Sequence, residues 1–77
     1  MAISAYVFVE CTQGKAIDVS KKLTKLSGVK AAHAVTGPID VIAFIEAADI
    51  NDLGRFVVEK IQSTAGVLRT STNIVTG

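Results

Sequence analysis

The feature that most constrains the fold is an internal repeat in which each half of the chain runs from a strand through a helix to a second strand. The segment "GVKAAHAVTG" at residues 28–37 is echoed by "GVLRTSTNIVTG" at residues 66–77, since both begin with Gly-Val and end with Val-Thr-Gly. Each copy follows a stretch with the apolar spacing of a helix, and each such stretch follows an alternating, strand-like one. The repeat therefore predicts the order β-α-β-β-α-β.

The strand predictions rest on β-branched and aromatic residues bounded by turn residues. We predict strands at residues 3–10, 29–35, 40–46 and 67–75. The first strand alternates between two sets of side chains: Ile3, Ala5, Val7 and Val9 on one side, Ser4, Tyr6, Phe8 and Glu10 on the other.

Two helices are predicted from apolar stripes with a period near 3.6 residues. The first spans residues 15–26, with an ion pair between Asp18 and Lys22 one turn apart. The second begins with Asp49 as its N-cap and Asp52 three residues later, and Gly54 weakens it locally. Gly28 and Gly66 are predicted to cap the C-terminal ends of the helices. The stripes are Ala16, Val19, Leu23 and Leu26 in the first helix, and Ile50, Leu53, Val57 and Ile61 in the second.

This element order is typical of an α+β, ferredoxin-like βαββαβ sandwich. We predict a four-stranded antiparallel sheet of order 4-1-3-2 with both helices on one face. Both central strands are apolar on both faces, although helices cover only one. We therefore predict a homodimer that packs sheet against sheet through the large side chains on the other face: Tyr6, Phe8, Ile42 and Phe44.

The length of the chain also favours an oligomer. Its 77 residues have room for a single domain, residues 1–77, with a small core. The only cysteine, Cys11, excludes an internal disulfide, and no Cys or His spacing resembles a metal site, so we expect no metal and no cofactor. A partner subunit is the remaining source of stabilisation.

Charge and hydropathy exclude other classes of partner. The formal net charge is +1, with eight basic and seven acidic residues scattered along the chain, so we expect no nucleic-acid binding and no attraction to anionic membranes. No apolar run approaches the roughly 18 residues of a membrane span. The start "MAISAYVFVE" lacks the basic residues of a signal peptide, and we expect a cytoplasmic protein.

Two residues are candidates for catalysis. His33, the only histidine, is expected on the face of the second strand that carries Val29, Ala31 and Val35. It is more often a packed residue in such a position, but it is the candidate general base of the alternative function, a cofactor-free enzyme on a dimeric α+β barrel. Cys11 is interpreted as a buried or incidental thiol, because no base is evident beside it.

The turn "TGPID" is the more interesting candidate site. Gly37 permits a close approach of the backbone to a ligand, and Asp40 places a carboxylate at the start of the third strand. Thr70 and Thr72 share one face of the fourth strand. Hydroxyls and a carboxylate are suited to the ammonium and carboxylate groups of a free amino acid. An aspartate in a turn often only accepts hydrogen bonds from neighbouring backbone, and this interpretation stays open.

The pattern "VTGPID", an apolar strand, a helix opened by "DINDL", and "GVLRTSTNIV" resembles the regulatory module of the Lrp/AsnC family, known as the RAM (regulation of amino acid metabolism) domain of feast/famine transcription regulators. The resemblance covers nearly the whole chain. It implies a non-enzymatic module whose dimers pair through their sheets and assemble into rings, with an amino-acid effector bound between dimers. Carried over by position, the effector site would be lined by Gly37, Pro38, Ile39, Asp40, Thr70 and Thr72.

Full-length relatives in that family place a helix-turn-helix domain before the module, whereas this sequence starts directly at the first strand. The resemblance is therefore to a stand-alone form. It implies that the chain does not bind DNA directly and that it modulates transcription by assembling with a full-length Lrp/AsnC regulator.

Overall fold

The order and pairing of the elements follow the sequence repeat. The computed structural model describes residues 2–77. It contains a single antiparallel sheet in the order β2-β3-β1-β4, which confirms the predicted ferredoxin-like topology. A π-helical segment, Val57–Ile61, continues the second helix. The elements are β1 (Ile3–Cys11), α1 (Ala16–Thr24), β2 (Val29–Ala34), β3 (Val41–Ala47), α2 (Ile50–Phe56) and β4 (Val67–Ile74).

The core lies between the helices and one face of the sheet. The central strands supply every second residue to it, as the alternation predicts, and the helices supply their apolar stripes. On β1 the core-facing residues include Cys11 in addition to the predicted ones, because the strand still pairs with β4 at Cys11. The buried apolar residues are Ala5, Val7, Val9, Cys11, Val19, Leu23, Val41, Ala43, Ile45, Leu53, Val57 and Ile61.

The face of the sheet away from the helices, here called the open face, carries the four predicted large side chains. Tyr6 lies opposite Phe44, with ring centroids 4.8 Å apart, and Phe8 lies opposite Ile42. Tyr6 is 47% exposed and the other three are half-buried. The predicted phase of both central strands is therefore confirmed, and in a single chain this apolar group contacts solvent.

The predicted face of β2 is wrong at its first residues. The register against β3 shifts between Val29 and Ala31, so that Val29 packs against the core while Ala31 lies opposite Phe44 on the open face. His33 lies opposite Ile42, on the open face as well. The cause is a β-bulge, which adds one residue to a strand and reverses the alternation on one side of it.

The two repeated glycines do not cap the helices directly. α1 ends at Thr24, and Gly28 occupies the third position of a tight turn in which the Val29 N–H donates to the Leu26 carbonyl at 3.1 Å. Gly66 has the same place in the second half, where the Val67 N–H donates to the Thr64 carbonyl at 3.1 Å. Both have positive φ, +102° and +99°, which glycine adopts readily at the third position of such a turn, so their predicted role as helix caps is wrong.

The predicted start of α2 is confirmed. The Asp49 carboxylate accepts a hydrogen bond from the Asp52 N–H at 2.8 Å. Of the predicted stripe, Leu53, Val57 and Ile61 are buried, whereas Ile50 is 58% exposed. The apolar stripe therefore begins one turn later than predicted, because the first turn contributes its cap and not a core residue.

Candidate functional site

Three hydrogen bonds hold the turn between β2 and β3, one across the turn itself and two to the end of β1. The Val35 N–H donates to the Asp40 carbonyl at 2.9 Å, and the Asp40 N–H donates to the Val9 carbonyl at 3.0 Å. The Asp40 carboxylate accepts from the Cys11 N–H at 2.8 Å through one of its two oxygens. The Asp40 side chain thus continues the β1–β3 ladder beyond its last backbone pair, and it fixes the turn to the end of β1.

Between these anchors the turn exposes its backbone. Within residues 2–77, the N–H groups of Thr36, Gly37 and Ile39 donate no hydrogen bond to another group of the chain. Gly37 has a φ of +125°, and a Cβ added to it would meet no heavy atom within 4 Å. Pro38 is exposed and Ile39 is half-buried. Successive unpaired amides in a turn are suited to binding an anion such as a carboxylate.

The two predicted threonines lie elsewhere on the sheet. Thr70 and Thr72 pair with Val9 and Val7, so both belong to the face of the sheet that carries the helices. Thr70 is half-buried, and its hydroxyl accepts from the Gln62 side-chain amide at 3.0 Å. Because β1 lies between β3 and β4, two strand spacings, about 10 Å, separate the turn from the threonines. A single chain therefore does not bring all six predicted residues together.

His33 lacks the surroundings that general-base catalysis requires. It is exposed on the open face beside Ile42. Within residues 2–77 it makes no hydrogen bond to a carboxylate or to any other oriented group. A base that is neither enclosed nor oriented does not form the catalytic pair that the alternative interpretation needs.

Cys11 is a buried thiol, and the charged group that acts on it is the Asp40 carboxylate. Its side chain is 8% exposed. Burial raises the pKa of the Cys11 thiol, and the negative charge of Asp40 raises it further. The thiolate is therefore disfavoured at neutral pH, which supports the interpretation of Cys11 as a structural residue.

Sequence reasoning missed a surface cavity beside α1. The cavity has a volume of about 230 Å³. Its charged groups include Asp18 and Lys22, which form the predicted ion pair at 2.9 Å, and the hydrogen bond with Lys22 lowers the pKa of Asp18. Local sequence patterns do not indicate the cavity, because Gly66 reaches it from a distant part of the sequence. The lining residues are Thr12, Lys15, Asp18, Lys22, Ala65 and Gly66.

Two classes of site find no support in the described part of the chain. In residues 2–77 no three His, Cys, Asp or Glu side chains are grouped so that they could hold a metal ion. In the same residues no helix has the length and apolar character needed to cross a bilayer.

Comparison with known families gives a match over almost the whole chain. Residues 4–77 match the family model described as the Lrp/AsnC ligand binding domain. An HTH-type transcriptional regulator of Pyrococcus abyssi is 31% identical over 74 residues, which are 96% of this chain and 47% of the regulator. A homocitrate synthase of Saccharolobus solfataricus is also 31% identical over 74 residues, but these are 16% of that enzyme. The chain therefore spans half or less of the length of these relatives.

Solved structures give the same picture. The crystal structure of FFRP-DM1 superimposes with a TM-score of 0.89 at 32% identity, covering 96% of this chain and 99% of that one. The structure of a transcriptional regulator from Neisseria meningitidis in complex with L-Met superimposes with a TM-score of 0.85, covering 97% of this chain and 50% of the regulator. The second pair is 22% identical, so it establishes a shared fold only.

Proposed function

The chain belongs to the Lrp/AsnC ligand-binding domain family, and from this premise we propose that it is a non-enzymatic sensor that binds a small amino acid or a related metabolite at the turn of residues 36–40. The family is regulatory, and one member of the fold, the regulator from Neisseria meningitidis, is known in complex with L-Met. The observation that carries the proposal is the set of unpaired backbone amides in this turn.

The amides supply the half of the site that would hold the ligand's carboxylate. A carboxylate accepts two or more N–H bonds, and such charge-assisted bonds are stronger than bonds between neutral groups. Gly37 leaves room for the ligand to approach, since no heavy atom lies within 4 Å of its missing Cβ. The anchors at Val9 and Cys11 hold the amides in place before the ligand arrives, which lowers the entropy that binding must overcome.

Calorimetric titration of the purified chain with each of the common amino acids tests the proposal. We expect heat of binding for at least one of them and loss of that binding in Gly37→Ala, because a side chain at positive φ strains the turn and obstructs the amides. The matched control is Gly14→Ala, since Gly14 also has positive φ, +81°, and open space around its missing Cβ. Absence of binding to every amino acid, or equal loss in both variants, contradicts the proposal.

Thr70 and Thr72 contribute to this site in one arrangement only. Because they lie about 10 Å from the turn of the same chain, a neighbouring subunit would have to bring its own β4 against the turn. Titration of Thr70→Val and Thr72→Val with the amino acid found above separates the two arrangements. Weakened binding supports a site shared between subunits, and unchanged binding restricts the site to Gly37, Pro38, Ile39 and Asp40.

The open face supports the proposed homodimer. Tyr6, Phe8, Ile42 and Phe44 form the apolar centre of a face whose ends carry charged residues, the Lys30–Glu46 ion pair at one end and Glu10 and Arg69 at the other. An apolar centre with a polar rim is typical of protein interfaces.

We propose further that dimers assemble into a larger ring and that the module can assemble with a full-length Lrp/AsnC regulator. A similar module makes up 47% of the regulator from Pyrococcus abyssi, so a module with the same fold is available in such proteins. Native mass spectrometry of the chain mixed with a full-length regulator from the same cell tests the second part. Mixed species at the expected masses support it, and only separate assemblies contradict it.

A related arrangement is favoured by the similarity to homocitrate synthase, where the matching segment is 16% of the enzyme. We propose, as a second candidate function, that this chain assembles with a biosynthetic enzyme. It would then regulate that enzyme through the amino acid that it binds. The distinguishing measurement is enzyme activity in the presence of the chain, with and without the amino acid. The catalytic alternative based on His33 is less well supported, because its imidazole is exposed and has no oriented partner in residues 2–77.

A further inference from the structure

The outer edge of β4 is long, mostly uncharged and available for pairing. β4 pairs with β1 on one side and is the last strand of the sheet on the other. Of its eight residues only Arg69 is charged, and it contains no proline and no lysine. Leu68 is 70% exposed, Ile74 is 37% exposed, and Val75 just beyond the strand is 40% exposed. Protein edges of this length usually carry charges or proline that prevent pairing with another strand.

The hydrogen-bond pattern identifies which backbone groups of β4 face outward. The Val75 N–H donates to the Ser4 carbonyl at 2.9 Å, so Val75 faces β1. Because facing alternates along an antiparallel strand, Ile74, Thr72 and Thr70 face away from β1. The opposite side of β1 gives the same result. The Val9 carbonyl accepts from Asp40, immediately before β3, so Val9 faces β3, and its partner Thr70 faces away from β1.

The other edge of the sheet, formed by β2, is by comparison protected from pairing with another strand. β2 has six residues, a bulge between Val29 and Ala31, and a lysine, Lys30, that is ion-paired to Glu46. Shortness, bulges and lysines are the features that prevent edge pairing. β4 has a bulge only at its first residues, opposite Glu10 and Cys11, and the stretch after it is regular.

We propose that β4 pairs antiparallel with β4 of a second copy of this chain, which joins two sheets into one continuous eight-stranded sheet. This interface is separate from the open face and from the ligand turn. The outward-facing residues have even numbers, so an even-numbered residue of one chain must pair with an even-numbered residue of the other. At the two-fold axis, a residue therefore lies directly opposite the same residue of the other chain. The axis does not fall midway between two consecutive positions.

The register centred on Ser71 is the one that the side chains favour. In this register Thr70 lies opposite Thr72 of the partner subunit in the regular part of the strand, and Leu68, in the bulge at its start, comes close to Ile74 of the partner subunit. Apolar residues with high exposure thus meet one another, and β-branched residues form a cross-strand pair. The two Arg69 side chains are four residues apart along the ribbon, about 14 Å, so their repulsion is largely screened at physiological salt.

Hydrogen exchange of individual amides tests the pairing without any substitution. In a single chain the N–H groups of Thr70, Thr72 and Ile74 have no partner, as have those of Ala32 and Ala34, which face outward from β2 on the same argument. With β4 paired, we expect the Thr72 amide to exchange at least about 100-fold more slowly than the Ala34 amide. Equal exchange rates for these two amides overturn the proposal.

A proline substitution tests the effect on assembly. Thr72→Pro removes an outward-facing N–H and leaves the ladder with β1 intact, since proline is tolerated at such edge positions. We expect light scattering to give a smaller mass for Thr72→Pro than for the wild-type assembly, because one of the contacts between copies is lost. The matched control is Ala34→Pro, which removes an outward-facing N–H from β2 and should leave the mass unchanged. An unchanged mass for a folded Thr72→Pro, or an equal decrease for Ala34→Pro, overturns the proposal.

Disulfide formation tests the register. In the proposed pairing Ser71 lies opposite Ser71 of the partner subunit in a non-hydrogen-bonded pair, where Cα atoms are about 4.5 Å apart and a disulfide can form. We expect Ser71→Cys to give a covalent dimer on mild oxidation, whereas Asn73→Cys, about 14 Å from its own copy, should not. The native thiol of Cys11 is 8% exposed and does not compete. A covalent dimer of Asn73→Cys, or none of Ser71→Cys, overturns this register. Amino-acid binding by the turn is measured separately, so failure here does not affect the proposed function.

Discussion

Asp40 connects the exposed turn to the central strand. Its carboxylate accepts from the Cys11 N–H at 2.8 Å, and its own N–H donates to Val9. One oxygen of the carboxylate is therefore committed to the backbone, and the other is the only part of the side chain left for a ligand. The sequence placed an acidic residue at the start of β3, but it did not show which way the carboxylate points, because that depends on the strand alongside.

Substitutions of Asp40 should separate its role as an anchor from a role in binding charge. Asp40→Ala leaves the half-buried Cys11 N–H without a partner, and we expect a loss of about 1–3 kcal/mol in the free energy of unfolding, measured in urea. Asp40→Asn keeps an acceptor and should lose much less. If the same Asn variant also keeps amino-acid binding in calorimetry, the carboxylate acts as an anchor. If it loses binding while remaining stable, the charge contacts the ligand.

Gly66 should be far less tolerant of substitution than Gly14. A Cβ on Gly66 would lie 2.9 Å from the Val19 Cγ2, and the residue has a φ of +99°. Gly66→Ala thus combines a steric clash in the core with backbone strain, and we expect a loss of at least about 2 kcal/mol in stability. Gly14→Ala, at positive φ but in open space, should lose only the cost of strain. Equal midpoints of thermal unfolding for the two variants would contradict the role assigned to the Val19 contact.

At the level of elements, the regular parts of the fold could be predicted and the irregular parts could not. Alternation along β1 and β3 gave the correct faces, because a strand without bulges has a strict period of two. The same argument was wrong for Val29, since nothing local in "GVKAAHA" indicates the bulge that arises from pairing with β3. The assignment of Gly28 as a helix cap was wrong because three turn residues, 25–27, separate α1 from it.

The N-cap of α2 provides a test at the scale of an element. The Asp49 carboxylate accepts from the Asp52 N–H at 2.8 Å, so Asp49→Ala leaves an amide of the first turn unsatisfied. We expect a loss of about 1 kcal/mol in stability, and recovery of most of it in Asp49→Ser. The matched control is Asp52→Ala, which removes only an exposed bond of 3.4 Å to Arg55. A larger loss for Asp52→Ala than for Asp49→Ala would contradict the capping interpretation.

For the whole molecule, the candidate site was only partly predictable because strand order separates residues that the motif places side by side. The turn and the threonines all follow from the sequence pattern, but β1 lies between β3 and β4 and keeps them about 10 Å apart. The resemblance to the Lrp/AsnC family implies an effector bound between dimers. The geometry of a single chain is consistent with that implication, since it presents the turn without the threonines.

The last prediction is that folding and association of this chain are coupled through the open face. Tyr6 is 47% exposed, and Phe8, Ile42 and Phe44 are half-buried, so a single chain leaves a contiguous apolar group in water. Soluble monomers rarely do so. Full burial of a large apolar side chain contributes about 1.5–3 kcal/mol, and even a part of this from four side chains is comparable to the roughly 5–15 kcal/mol that stabilise a typical domain.

Phe8→Glu combined with Phe44→Glu should therefore give unfolded or aggregated protein, because it places two charges at the centre of the face. The matched control is Val58→Glu, since Val58 is 59% exposed on the helical side of the molecule and outside the open face. For the wild type, the midpoint of thermal unfolding should rise with protein concentration, as mass action requires when association stabilises the folded chain. A soluble, well-folded monomer of the double variant, together with a midpoint independent of concentration, would show that the open face does not associate and that the chain is stable alone.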